Sequence, residues 1–190
     1  MEATKFQCKR SGKEVTLRIF DKADASDHDR FGQIAARAAE DPDLRTYKKP
    51  AEDLMADEKS EYLGAFDENG DPVAIKRINF DQEVIRQKVV PFPAILNATK
   101  MIQLGGSFVD EEYRHQGINT AQLEWSRQWG LANGYDEMVV VVANENPKSV
   151  IAHQRYFGEP VEGEYYDSVF NRPVTLFARE TADDGEKKES

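Results

Sequence analysis

The sequence predicts a mixed α/β domain, with a central mixed and largely antiparallel sheet flanked by helices. Three observations carry that prediction. Segments of alternating apolar residues exchange along the chain with segments of helical spacing. Val139, Val140, Val141 and Val142 form an unbroken apolar run, the mark of a strand covered on both faces. Residues 101–132 read as strand, tight loop and helix in direct succession. The 190 residues suit one domain, since a domain usually takes ~100–200 residues. A chain of this length can bury roughly 70% of its unfolded surface without a disulfide or metal. Cys8 is the lone cysteine, so the chain can form no internal disulfide and no cysteine-based zinc cluster.

In chain order, Glu14–Phe20 alternates Val15, Leu17 and Ile19 as a half-buried strand. Asp24–Glu40 places Phe31, Ile34, Ala35 and Ala38 at helical spacing, and Asp41-Pro42 stops the helix. A short second helix is expected within Pro50–Asp57, with Leu54 and Met55 as its apolar residues. Strands at Tyr62–Phe66 and Val73–Phe80 flank Asp67-Glu68-Asn69-Gly70-Asp71, whose Asn-Gly tolerates the positive φ of a hairpin turn. The parity change between Ile75 and Ile78 predicts a bulge near Lys76-Arg77. Residues 81–100 are polar and broken by prolines, and give no clear element. Met101–Val109 is a strand carrying Gly105-Gly106, a pair that weakens a strand interior unless backbone or ligand approaches closely. Ile118, Ala121, Trp125, Trp129 and Ala132 fall on one helix, with the tryptophans as core, and Asn133-Gly134 ends it. Met138–Ala143 is the buried strand, and Asn146-Pro147 caps and opens a further helix. Two last strands are expected around Val161–Tyr166 and Pro173–Arg179. Residues 1–180 then make one domain, and 181–190 a charged tail too polar to repay its ordering entropy.

Lysines and arginines number 25 against 35 acids, a net charge of −10. That opposes bulk attraction to nucleic acid or anionic membrane, so neither is an expected partner. No run of 18 apolar residues occurs, and Met-Glu-Ala-Thr-Lys-Phe lacks the apolar stretch of a signal peptide, so the expected location is cytoplasmic. His28, His115 and His153 are too scattered for a metal site, and no metal is expected.

One segment admits a local anion despite the acidic balance. Ser107 to Thr120 runs from a strand through a tight loop into a helix N-terminus. First-turn N–H groups lack intrahelical partners there, and the helix dipole adds about half a positive charge. A phosphate is a natural guest. Gly117 lets backbone approach a ligand without a Cβ, and Arg114 and His115 add cationic donors.

Arg114-His115-Gln116-Gly117-Ile118-Asn119 resembles the Arg/Gln-x-x-Gly-x-Gly/Ala loop of the GNAT acyl-CoA N-acyltransferase superfamily. Asn119 replaces the final Gly/Ala. Val109-Asp110-Glu111-Glu112-Tyr113 is similar to the family's strand end, with Glu111 in place of its usual proline. Asn146-Pro147-Lys148-Ser149-Val150-Ile151-Ala152-His153 resembles the Asn-x-x-Ala/Ser-x-x-x-Tyr segment that follows the next strand. The likeness covers residues 101–160 most fully, while residues 14–80 agree in element order. It implies a GNAT-type fold whose sheet splays at the cofactor site. It also implies acetyl-CoA, or coenzyme A, as the cofactor, with its pyrophosphate on Arg114, His115, Gln116, Gly117, Ile118, Asn119 and Thr120. The backbone of Ser107, Phe108 and Val109 would meet the pantetheine arm, and Asn146 and Ser149 would lie beside it. Asn146 also reads as a plain helix cap.

The reaction so implied is transfer of an acyl group to a primary amine by direct attack on the thioester. His153 stands where many relatives carry a tyrosine that protonates the thiolate. It is a candidate acid, a water-organising residue or a structural histidine, with Tyr156 then taking the polar role. The glutamate that some relatives place five residues before the motif asparagine is Val141 here, so the base is open. Asp81 and Glu83 are weak candidates, and relay through water is the fallback. Acidic clusters at Asp24, Asp27, Asp29 and at Glu52, Asp53, Asp57, Glu58, Glu61 read as solvated faces. In the family the first two helices flank the acceptor groove, where negative charge would favour a cationic amine. The rival reading is a GNAT-fold module that binds acyl-CoA without turnover. A homodimer stays open.

Overall fold

A computed structural model describes residues 1–42, 44–89, 98, 100–162, 165–167 and 172–182. It divides into two compact units, Met1–Asn79 with Gly105–Ser126, and Phe80–Leu104 with Arg127–Ser190. The strand β5 (Met101–Val109) and the helix α4 (Ile118–Ala132) run through both.

The first unit holds β1 (Thr4–Gln7), β2 (Glu14–Ile19), α1 (Ala25–Ala39), a single 3-10 turn at Arg45–Lys48, α2 (Ala51–Met55), β3 (Ser60–Phe66) and β4 (Pro72–Asn79). It also takes the second half of β5 and the start of α4. β1 pairs with β2, β2 with β3 and β3 with β4, all antiparallel. Asp24 caps α1 by accepting from the Ser26 N–H at 2.8 Å. The apolar stripe of α1, Phe31, Ile34, Ala35 and Ala38, packs with Phe20, Tyr47, Leu54, Met55, Tyr62, Phe66 and Ile75. Each large side chain fully buried here adds roughly 1.5–3 kcal/mol.

The second unit holds α3 (Gln82–Val89), β6 (Glu137–Ala143), α5 (Pro147–Phe157), β7 (Tyr165–Asp167) and β8 (Arg172–Glu180). β6 pairs with the first half of β5 in parallel, from Met101↔Glu137 to Leu104↔Val140. β8 pairs antiparallel with both β6 and β7. The strand order is β1-β2-β3-β4-β5-β6-β8-β7, and the fold is the expected mixed, mostly antiparallel sheet with helices.

Four local expectations change. The irregularity between β3 and β4 falls between Ala65 and Phe66, not at Lys76-Arg77. β4 is buried on both faces, so Ile75 and Ile78 are both interior without any bulge, and the residue that disguised the pattern is Lys76, itself buried. Residues 82–89 form α3, pinned where Gln82 brackets Met101, donating to its carbonyl at 2.7 Å and accepting from its N–H at 2.9 Å. Short β1 was not anticipated. Thr181, assigned to the tail, is 1% exposed; its N–H donates to Asp136 O at 2.9 Å and its carbonyl accepts from Arg127 at 2.6 Å. Residues 183–190 of the tail, and 163–164 of the expected strand 161–166, lie outside the described residues.

Candidate functional site

β5 leaves the sheet under firm control. The Asp110 N–H donates to Val73 O at 2.9 Å, and Arg37 from α1 donates to both Asp110 carboxylate oxygens, at 3.0 and 3.1 Å. A 3-10 turn, Glu111–Tyr113, follows, and Tyr113 is buried with Lys13 over its ring. Exposed Arg114 is extended, its Nε donating to Val109 O at 3.1 Å. His115 then turns left-handed at φ 61°, and Gly117 does so again at φ 87°. A residue with a Cβ at Gly117 would carry the strain of that conformation, and its Cβ would lie 3.1 Å from the Lys9 stem.

Gln116, between those two residues, is 9% exposed and turned inward. Its Oε1 accepts from the N–H groups of Arg10 (2.9 Å) and Ser11 (3.0 Å), and its carbonyl accepts from Lys9 N. The side chain therefore bolts the loop to the β1–β2 turn and is not presented outward. Ile118 is core, whereas Thr120 is exposed. Backbone donors complete the arrangement. The Arg114 N–H donates to Glu111 O, and the next donation along the chain is Ala121 N to Gly117 O at 3.0 Å. Among the described residues, the N–H groups from His115 to Thr120 donate to no protein acceptor. Left-handed turns among successive free N–H groups are the ingredients of an anion-binding nest, and the dipole of α4 adds to it.

The residue that sequence reasoning missed lies beneath this loop. Lys76 is 1% exposed on β4, sharing a face with Ala74 and Ile78. Its Nζ donates to Ser107 Oγ and to Asn119 Oδ1, both at 2.9 Å, and Ser107 Oγ donates to Asn119 Oδ1, also at 2.9 Å. Burial lowers the Lys76 pKa from 10.5 to about 7. The expected site residues Ser107 and Asn119 thus spend their side chains on this lysine, leaving their backbone for anything outside. A polar residue breaking strand parity was the available signal.

Other expected features find structural explanations. Gly106 has φ 55°, and what comes close there is a side chain rather than backbone or ligand: the Tyr47 ring sits 3.1 Å from where a Cβ would be, and its hydroxyl donates to Gly106 O. Phe108 is partly buried against the α1 core. Asp27 is not solvated: it is 1% exposed and accepts from Arg18 Nη2 and from the Asp21 N–H, each at 2.8 Å. Burial pushes its pKa up, but bonds from Arg18, the backbone and Arg30 outweigh this and hold it low. Asp57 pairs with Arg77 at 2.9 Å, and Glu61 lies 3.8 Å from Lys22. Asp24, Asp29, Glu52, Asp53 and Glu58 are exposed as expected.

In the second unit, Asn146 caps α5, its side chain accepting from Ser149 N at 3.1 Å. His153 is 6% exposed, and its Nδ1 lies 2.8 Å from the Ser149 carbonyl and 3.3 Å from Ser149 Oγ. A carbonyl only accepts, so Nδ1 carries the hydrogen. The ring stacks near Phe177 and Phe157, with centroids 6.1 Å away in each case. Tyr156 is half-buried beneath the Arg179 guanidinium, which also donates to its carbonyl at 3.1 Å. Val141, where a glutamate base would sit, is a partly buried strand residue.

Solved structures share this fold. The GNAT domain of S. lividans PAT superposes with a TM-score of 0.63 at 14% identity, covering 94% of this chain and 96% of that one. Arabidopsis thaliana NAA60 in complex with acetyl-CoA gives 0.60 at 14% identity, covering 87% and 98%. A spermidine N-acetyltransferase SpeG chimera from Vibrio cholerae and hSSAT gives 0.60 at 12%, covering 88% and 95%. A search of curated proteins finds no match. The model of the Acetyltransferase (GNAT) family matches residues 28–158, more than half of the chain. With the nest-forming loop and the mixed sheet, that match makes the chain a member of the GNAT acetyltransferase family.

Proposed function

We propose that the protein is an acetyl-CoA-dependent N-acetyltransferase acting on a primary amine of a small molecule or peptide. The observation that carries this reading is the stretch of backbone N–H groups from His115 to Thr120 that have no acceptor among the described residues, opened by left-handed His115 and Gly117 and flanked by exposed Arg114. Those groups fit a diphosphate: they supply donors without a negative side chain in the first turn of α4. His115, Gly117, Ile118, Asn119 and Thr120 would hold it by backbone, Arg114 by charge and His115 by a ring N–H as well, and Gln116 by keeping the loop in shape. When bound, the thioester supplies the acyl group, and the acceptor must lose a proton because an alkylamine is charged at neutral pH.

His153, as acid or water-organising residue, and Tyr156, in its place, remain the alternative proposed catalytic residues. The buried ring of His153, committed through Nδ1 to Ser149 O, favours a supporting role for it, with Tyr156 as the donor. Asp27 and Asp57 are neutralised by arginines, so a cationic acceptor would be drawn by exposed Asp24, Asp29, Glu52, Asp53 and Glu58 instead.

The buried histidine and Val141 also support a second reading, an acyl-CoA-binding module without turnover. A thiol-release assay with acetyl-CoA and a panel of primary amines separates the two. Release with at least one amine supports the enzyme; tight binding without release for every amine supports the module; no binding overturns both.

A further inference from the structure

We propose that Lys76 is a positioning residue of the diphosphate loop whose amine gains a proton from solvent when an anion docks there, so that anion binding and protonation are linked. This rests on the coenzyme reading above and extends it to a residue outside the family's loop motif.

The geometry suits a lysine that changes charge. A neutral amine has two N–H donors, and the two protein acceptors around Nζ are Ser107 Oγ and Asn119 Oδ1, each at 2.9 Å. An ammonium has a third N–H, for which the described residues give no acceptor. Among the described residues no carboxylate pairs with Nζ. On β3, Glu61 lies against Lys22 and Tyr62 belongs to the α1 core; on β4, Arg77 faces away to Ser60 and Asp57. The part of β5 beside Lys76, Gly105 to Val109, has no titratable residue. On α4, Glu124 is about 140° around the helix from Asn119 at ~100° per residue. The loop contributes Arg114 and His115, with Lys9 against Gly117. Only burial shifts the amine.

A cation under the first turn of a helix meets the positive end of the dipole, which disfavours it in the free protein. A diphosphate on the loop reverses that local field and favours the ammonium. Asn119 transmits the change, because its side chain holds Nζ while its backbone N–H belongs to the free set. An asparagine where relatives have Gly or Ala then has a function: it couples the loop to the buried lysine.

Calorimetric titration of coenzyme A at pH 7.5, in buffers of differing ionisation enthalpy, reads the proton count. A rise of one unit at Lys76 gives net uptake of about half a proton and weakens binding by up to about tenfold above pH 8 relative to pH 6. Titrating phosphates that become bound near cations would release protons, the opposite sign. Uptake lost in K76M and K76Q and retained in H115Q supports the proposal. Uptake unchanged in K76M or K76Q, or absent from the wild type, overturns it while leaving the coenzyme reading intact. Failure of coenzyme A to bind at all overturns both. Should neither Lys76 variant fold, carbon NMR of the wild-type lysine Cε groups decides: a resonance titrating near pH 7 that moves upward with coenzyme A supports the proposal, and none doing so overturns it.

Discussion

Replacing Lys76 with methionine should stabilise the free protein below pH 7 and lose that advantage as the pH rises. The folded amine titrates at about 7 and the unfolded one near 10.5, so between those values the unfolded chain binds more protons than the folded one. Stability of the wild type therefore increases with pH across that window. Integrating the two titrations from pH 6 to pH 9 gives a gain of about 2–3 kcal/mol for the wild type relative to a variant without the amine. Opposing this, methionine removes two hydrogen bonds, each worth ~1 kcal/mol, though Asn119 Oδ1 keeps the Ser107 hydroxyl. Urea unfolding of both proteins at pH 6, 7.5 and 9 reads the difference. K76M should be the more stable at pH 6, with the gap closing or reversing by pH 9. A gap that stays constant across the three pH values would refute a depressed amine, and with it the argument from burial.

Several other substitutions test separate parts of the account. Gly117→Ala should cost ~1–2 kcal/mol from the left-handed φ of 87° and weaken coenzyme A binding, read by thermal melts and calorimetry. Gln116→Ala should destabilise by ~1–3 kcal/mol, since the Arg10 and Ser11 N–H groups lose their acceptor; an unchanged melting temperature would mean the bolt is dispensable. The Asp27 carboxylate is held below its ordinary pKa, so its stabilisation is present above ~pH 3.9 and lost as pH falls through the lower folded value. Asp27→Asn should be less stable by about 2–3 kcal/mol at pH 7, discounted for the partly exposed arginines, and should show a flatter acid limb in melts from pH 5 to 2. Tyr156→Phe should lower kcat with KM retained, whereas His153→Ala should lower the melting temperature first; the reverse pattern would exchange their roles.

Local chemistry made much of the fold legible. The heptad-like spacing of Phe31, Ile34, Ala35 and Ala38, the valine run of β6, and the Asn146-Pro147 cap each state a backbone preference and a buried face at once, and those elements appear at the expected places. The loop from Arg114 to Thr120 was legible because glycine and a helix start are written in adjacent residues. What was hidden depends on distant partners. Gln116 looks like a polar ligand until the β1–β2 turn folds onto it, and Asp27 looks like surface charge until Arg18 arrives from β2. Lys76 misread as a strand irregularity because period-two patterns assume that a lysine faces water. α3 was masked by its polar faces and by the prolines after it.

The central claim is that backbone amides between His115 and Thr120 hold the diphosphate of coenzyme A. Proton–nitrogen correlation spectra of labelled protein titrated with coenzyme A test it most directly. The account predicts downfield shifts of the His115 to Thr120 amides that saturate together with the calorimetric isotherm. Saturable binding that leaves those amides unmoved, or no binding at millimolar coenzyme A, would contradict it.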